Sequence, residues 1–376
     1  MKNLKTKFTV IILLITMVSF AQVRYYASNR LQNAVNVYEE DGTFIEEFIE
    51  MDSGGLSSPQ DIILHPAGFL LVTGTDNTQI KKYDMNTGAY LGDWSDAAFD
   101  LGRPSKMTIG PDNLLYVTQW GQTAPTAKVV RFDLDGNYLG PFTPIAPTGL
   151  GHVWDDQGNF YLAIFGPNGN DGEVRKYDAS GNFLEVFIDG TILQNPSYIW
   201  WDTNGDMLVQ DFTAGKVLRY TSSGNYIEDF ITGLITPEGY TILPNGNIII
   251  AERSANQISE WDANGNLIGR WDDGGSLIGV NFIESIDPSI LAVPDNTKES
   301  TILVTPSIGN EFKVNNEFAN YESIKIFSIS GILIASILLR DSDVWFAGNI
   351  AEGLYLIVAT TYDGENRIQK VIVDNN

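Results

Sequence analysis

Three carboxylates stand where oxygen ligands could gather: Asp211, Glu238 and Glu252. Calcium takes roughly six to eight oxygens from carboxylates, amides and carbonyls, so a convergence of these three would begin a hard-cation site. His152 is one of two histidines, and a histidine can serve as a general base near neutral pH. It falls in a column with Ile62, Met107, Ile199 and Tyr240, which argues instead for a core histidine with a bonded nitrogen. The other, His65, sits beside Pro66 in a turn and is expected to be exposed. Asp133-Leu134-Asp135-Gly136-Asn137 begins like a calcium loop but lacks the spaced Glu, and reads as a hairpin. Trp120, Tyr198, Trp200 and Trp201 could stack on sugar rings. Alternation along a strand sends Trp200 and Trp201 to opposite faces, which favours core packing for both.

Those residues are held by a repeat. One phrase occurs six times, as VYEEDGTFIEEF, KYDMNTGAYLGDW, RFDLDGNYLGPF, KYDASGNFLEVF, RYTSSGNYIEDF and EWDANGNLIGRW. Its leading aromatic residue, Tyr38, Tyr83, Phe132, Tyr177, Tyr220 or Trp261, recurs every 41 to 49 residues. Each copy is strand, Gly turn, strand. A second phrase starts near Pro59, Pro104, Gly149, Pro196 and Pro237 and adds two more strands. Four antiparallel strands per repeat of that length make a propeller blade. The chain opens in mid-blade, with 22–29 matching a second strand, and Val280 to Ile286 begins a Pro-type phrase without a partner after it. The expectation is an all-β fold: a six-bladed β-propeller over 22–286, its last inner strand completing the blade begun at the N-terminus. The innermost strands then surround a channel. The residues after each Pro, namely Gln60, Ser105, Leu150, Ser197 and Glu238, then Asp61, Lys106, Gly151, Tyr198 and Gly239, are expected near its mouth. Asp211, Glu252 and Trp120 follow at the ends of the next strands.

Composition narrows the chemistry. The chain has 376 residues and a net charge of −24, from 47 acids and 23 bases, a surface that repels phosphate backbones and argues against nucleic-acid binding. Without cysteine there are no disulfides and no thiol chemistry, and two histidines exclude a histidine-rich metal site. Lys2, Lys5 and Lys7 precede an apolar run from Phe8 to Phe20, which reads as a signal peptide over 1–21, cleaved after Ala21. No other stretch is apolar enough to span a bilayer, so no stable membrane span is expected in the mature chain.

The alternating phrases P-x-x-I…G-x-L-x-V and Y/F-D-x-x-G-x-x-L resemble NHL-type propellers and, more widely, gluconolactonase-like and virginiamycin B lyase-like propellers. In NHL propellers an acid at the Asp211 and Glu252 position braces a loop. Gluconolactonase-like propellers bind a divalent metal through a Glu in a Pro-Glu-Gly phrase, which Pro237-Glu238-Gly239 matches in a later blade. Lyase-like members use a histidine as base, which keeps His152 as a candidate.

Beyond Ile286 the pattern changes. Residues 287–300 read as a linker, and 301–376 as a small β-sandwich. The SIKIFSISGILIAS phrase, the IAEGLYLIVAT phrase and the terminal QKVIV resemble the type A C-terminal sorting domain of the type IX secretion system, although Val304-Thr305-Pro306-Ser307 replaces the usual Tyr-Pro-Asn-Pro. The resemblance implies export by that machinery to the surface or surroundings of a Gram-negative bacterium of the Bacteroidota lineage. The sequence favours a binding or scaffolding module for a glycan or protein, because no complete catalytic constellation stands out. The alternative is a divalent-metal-dependent hydrolase or lyase of the lactonase-like kind, with calcium as the cofactor to consider.

Overall fold

The computed structural model describes residues 23–166, 171–243, 245–271, 274–286 and, with short gaps, 303–374. The expected signal peptide (1–21) and linker (287–300) lie outside the described residues.

Six four-stranded antiparallel sheets form in chain order. The innermost strand of each is a Pro-type phrase: Pro59–His65, Pro104–Ile109, Gly149–Trp154, Pro196–Trp201 and Pro237–Ile242 in five of them. In the remaining sheet, Val280–Ile286 pairs antiparallel with Arg24–Asn29, with Arg24 opposite Ile286 and Asn29 opposite Val280. The first and last strands of the repeat region thus share a sheet, as the interrupted phrase predicted. Each innermost strand touches the next, and Val280–Ile286 touches Pro59–His65, so the sheets close in a ring. Closure covers the two inner edges that would otherwise lie open to pairing.

The repeated phrase supplies both the hairpin and the joint between sheets. Asp133, Asp155, Asp178 and Asp262 each accept, on Oδ1, the backbone N–H of the Asn four residues on, and on Oδ2 its side-chain amide. A short carboxylate can hold a turn this way while Gly takes the positive φ that a bulkier residue resists. The Asn182 and Asn266 donors hold Asp178 and Asp262 below the usual carboxylate range. The turn glycine also meets the previous sheet. Gly88, Gly136, Gly181, Gly224 and Gly265 lie against the carbonyls of Phe48, Trp94, Phe142, Phe187 and Phe230, and Gly42 lies against the Trp271 ring, leaving no room for a Cβ. The aromatic residue that ends one phrase thus seats the glycine of the next, around the whole ring. The leading aromatic residues are buried in all six sheets.

The channel between the innermost strands is filled. Its plug is the column Asp61, Lys106, Gly151, Tyr198, Gly239 and Phe282. A Cβ on Gly151 would lie 2.7 Å from the Tyr198 backbone and ring, and one on Gly239 would lie 2.7 Å from those of Phe282. Each glycine makes space for the aromatic residue one sheet on, and the two rings stack 5.9 Å apart.

After Ile286 a three-stranded sheet (Val304–Thr305, Glu311–Val314, Val344–Phe346) and a five-stranded sheet (Ile308–Gly309, Tyr321–Ser328, Leu333–Leu338, Gly353–Thr361, Asn366–Val373) share a core that includes Phe312, Trp345, Ile326, Ile357 and Val371.

Gly151→Ala and Gly239→Ala should each lower unfolding free energy by about 1–3 kcal/mol, the usual effect of overpacking. Gly269→Ala is the control: it lies in a strand with open space at its Cβ position and should change little. Denaturant titration of the three variants measures this. Equal effects at all three sites would show that the plug does not need its glycines.

Candidate binding site at the channel mouth

The residue that follows each second strand is Arg30, Thr75, Trp120, Phe165, Phe212 or Arg253. In five sheets its backbone N–H donates to the carbonyl of the residue that precedes the innermost strand: Thr75 to Ser58, Trp120 to Arg103, Phe165 to Thr148, Phe212 to Asn195 and Arg253 to Thr236, at 2.8–3.1 Å. The backbone so fixed turns the six side chains into the wall of one concave mouth. Arg30 and Arg253 reach the wall by the same device. Each opens a 3-10 turn, Arg30–Gln32 or Arg253–Ala255, that ends on a left-handed Asn, Asn33 or Asn256.

These six residues line a cavity of about 230 Å³ together with Gln60, Asp76, Arg103, Leu150 and Glu238. Three aromatic side chains run contiguously: Trp120 to Phe165 at 5.2 Å and Phe165 to Phe212 at 5.5 Å, both edge-to-face. Arg253 faces Phe212 at 5.9 Å and donates to Glu238 Oε2 at 2.9 Å. The Arg30 Nε is buried without a hydrogen-bond partner, and Arg30 is held below its ordinary pKa by burial and then by Arg253. Arg103 is exposed at the rim. Among the described residues, neither Arg30 nor Arg103 makes an ion pair.

Gln60, Leu150 and Glu238 form the floor, and the plug lies beneath it. Lys106 is fully buried there. Its Nζ donates to the carbonyls of Gln60 (2.9 Å) and Asn281 (3.3 Å) and sits 5.4 Å from the Phe282 ring centre and 5.8 Å from that of Tyr198. Asp61 accepts from the backbone of Met107 (2.6 Å) and Ile62 (2.9 Å). Burial pushes it up to about 7 against the opposing pull of Lys106. Glu284, further along the last inner strand, is pushed up to about 8 by burial and then by Asp61.

Of the residues expected at the mouth, Gln60, Trp120, Leu150 and Glu238 line the cavity. Asp61, Lys106 and Tyr198 lie below it, and Ser105 is fully buried. The three carboxylates proposed as cation ligands are not brought together. Asp211 accepts the backbone N–H groups of Gln194, Asn195 and Ala214; Glu252 accepts that of Ile235 and faces Arg270; Glu238 pairs with Arg253. Asp211 and Glu252 thus tie down the loop before the innermost strand, and among the described residues no cluster of three His, Asp or Glu is placed to hold a metal ion. His152 is buried against Trp154 and Phe160, bonded through Nδ1 to the Leu150 carbonyl, and pulled down to about 4 by burial. His65 is also buried, contrary to expectation. Its Nε2 donates to the Leu134 carbonyl, its Nδ1 accepts from Ala67, and its ring stacks on Phe69 at 4.2 Å. The neighbouring sheet's hairpin covers the turn, which a single-repeat reading could not show.

Arg30, Arg103, Phe165 and Phe212 complete the wall, and their part in it was not foreseen. Phe165, Phe212 and Arg253 occupy the position of Trp120 in their own repeats. The recurring Arg-x-x-Asn at 30–33 and 253–256 was a further readable signal.

No protein-family model matches the chain, and no curated protein matches it either. Solved structures share the fold. A chain of a nidogen/laminin complex is 13% identical, with 70% of this chain and 98% of that one covered at a TM-score of 0.56. A protein of unknown function from Bacteroides caccae is 18% identical, with 70% and 99% covered at a TM-score of 0.56. The likeness extends to the β-propeller architecture.

The folded-state pKa of Glu284 lies above its unfolded value, so the stability it confers is complete below the ordinary carboxylate range. That stability is lost as pH rises towards about 8. Glu284→Gln removes the loss. The melting temperature of the variant should gain on wild type between about pH 5 and about pH 9. A constant difference across that range would show that Glu284 ionises as freely folded as unfolded.

Proposed function

We propose that the chain is a secreted binding module that takes a glycan at this mouth. The observation that carries the reading is the contiguous half-buried arc of Trp120, Phe165 and Phe212 on a concave surface to which all six sheets contribute. Aromatic faces in such a position stack on the apolar faces of sugar rings. Both acceptors (Glu238, Asp76) and donors (the arginines) border the arc, which suits hydroxyls that donate and accept at once. The cavity is smaller than the roughly 300–1,000 Å³ of sites that swallow a whole drug-sized ligand, so it fits one end or one unit of a chain. The carboxylates at hand serve as loop braces or pair with arginine, which supports binding over metal-dependent hydrolysis.

Export follows from the two ends of the chain. The N-terminal segment acts as a signal peptide, and the β segment after the linker acts as a type IX sorting domain for the propeller at 22–286. Deleting 301–376 should leave the protein in the periplasm of a Bacteroidota host, and unchanged release or surface display would overturn this part of the proposal.

For the binding role, the full chain should bind a subset of a glycan array, and Trp120→Ala should weaken its best ligand by about tenfold by calorimetry. An array without hits, or a hit that Trp120→Ala leaves unchanged, would overturn it.

A further inference from the structure

The cavity gathers three guanidinium groups in a chain whose acids outnumber its bases two to one. Arg253 pairs with Glu238 at 2.9 Å, whereas among the described residues Arg30 and Arg103 make no ion pair, and Glu238 and Asp76 act on Arg30 only at longer range. Asp76, the other acid of the cavity, accepts from the Ser58 hydroxyl at 2.7 Å. The mouth therefore carries a surplus of positive charge beside its aromatic arc. The Arg30 Nε is, in addition, a buried donor without a hydrogen-bond partner among the described residues. An unmet buried donor destabilises the empty site, and an oxygen ligand would relieve it.

From this juxtaposition we propose that the ligand is an acidic saccharide, whose carboxylate or sulfate is held by Arg30 and Arg103 while its ring lies on Trp120. The inference rests on the glycan reading above and specifies its charge. Arg103 and Trp120 belong to the same sheet, joined by the Trp120 N–H to Arg103 carbonyl bond, so the stacking surface and one anion donor move as a unit. Arg30 stands one sheet beyond Thr75, its 3-10 turn closed by Asn33, whose side chain bonds Asp52 at 2.8 Å and the Ser58 backbone at 2.8 Å. A planar guanidinium can meet two oxygens of a carboxylate or sulfate at once. An acidic peptide would satisfy the arginines too, but its side chains only accept and would leave Glu238 and Asp76 facing like charge. Sugar hydroxyls donate to both. The negative charge of the whole chain gives no long-range steering towards an anion, so the selectivity must come from contact inside the mouth.

The test uses the full chain and three matched probes in calorimetry: an oligogalacturonate, its fully methyl-esterified neutral form, and a sulfated neutral oligosaccharide. The expected result is that the carboxylated or the sulfated probe binds at least about tenfold more tightly than the ester, and which of the two does so identifies the anion. Arg103→Gln and Arg30→Gln should each weaken the acidic probe by about tenfold and leave the ester unchanged. Arg103 is exposed, so its variant stays informative even if Arg30→Gln lowers the melting temperature. Equal binding of ester and acid, undiminished in Arg103→Gln, would overturn the charge assignment and leave the glycan reading standing. Binding of none of these saccharides, with an acidic peptide captured in their place, would overturn both.

Discussion

The pairing of Val280–Ile286 with Arg24–Asn29 is the constraint on which the rest depends. It joins segments some 250 residues apart, and until it forms the first and last sheets each lack a neighbour on one side. Side chains reinforce it. The Ser28 hydroxyl accepts from the Phe282 backbone at 2.8 Å, and Asn29 accepts from Ile278 at 2.8 Å while its amide donates to the Ser276 carbonyl at 2.6 Å. The same strand delivers Phe282 to the plug and Asn281 to the hydrogen bond with Gln60, and the strand it pairs with leads directly into Arg30. Closing the ring and completing the mouth are one event. Loop closure of this length is entropically unfavourable, which makes the repeated aromatic-to-glycine joint important: it stabilises neighbouring sheets before the last contact forms.

The plug explains how a channel with charge in it stays folded. A buried lysine is unfavourable unless its donors are met. Two backbone carbonyls and two aromatic faces meet those of Lys106, and Glu238 and then Asp61 oppose the desolvation. Breaking such an arrangement is more harmful than replacing it whole. The small-beside-large alternation of Gly151 with Tyr198 and Gly239 with Phe282 fills the axis without strain. It leaves the floor above, made by Gln60, Leu150 and Glu238, as the deepest surface a ligand can touch.

The sequence made the architecture legible because the signals that set it repeat. Hairpin glycines, leading aromatic residues and Pro-initiated strands recur at a fixed offset, and each copy corroborates the others. The same logic gave the floor residue Glu238, the wall residue Trp120 and the core role of Trp200, which stacks on Tyr240 at 4.1 Å. It failed where a side chain's surroundings come from another repeat. His65 looks exposed within its own turn, yet the hairpin of the next sheet covers it. Asp211, Glu238 and Glu252 look alike as carboxylates, yet Glu238 on an innermost strand meets the cavity, while Asp211 and Glu252 brace loops one position before Phe212 and Arg253, which line it. Arg103 carries no repeat signature, being the single basic residue among Ser58, Arg103, Thr148, Asn195 and Thr236, whereas Arg30 shares only its Arg-x-x-Asn with Arg253.

That separation by one position has a functional meaning. At the end of four of the six second strands, one residue (Asn29, Gln119, Asp211, Glu252) turns back to hydrogen-bond the loop before the innermost strand. The next residue (Arg30, Trp120, Phe212, Arg253) turns into the mouth. The first holds the backbone still, and the side chain of the second differs from sheet to sheet. Three aromatic residues on one side of the ring and two arginines on the other are therefore compatible with an unchanged scaffold. A site assembled this way draws its rigidity from the repeat and its selectivity from where the repeat is broken.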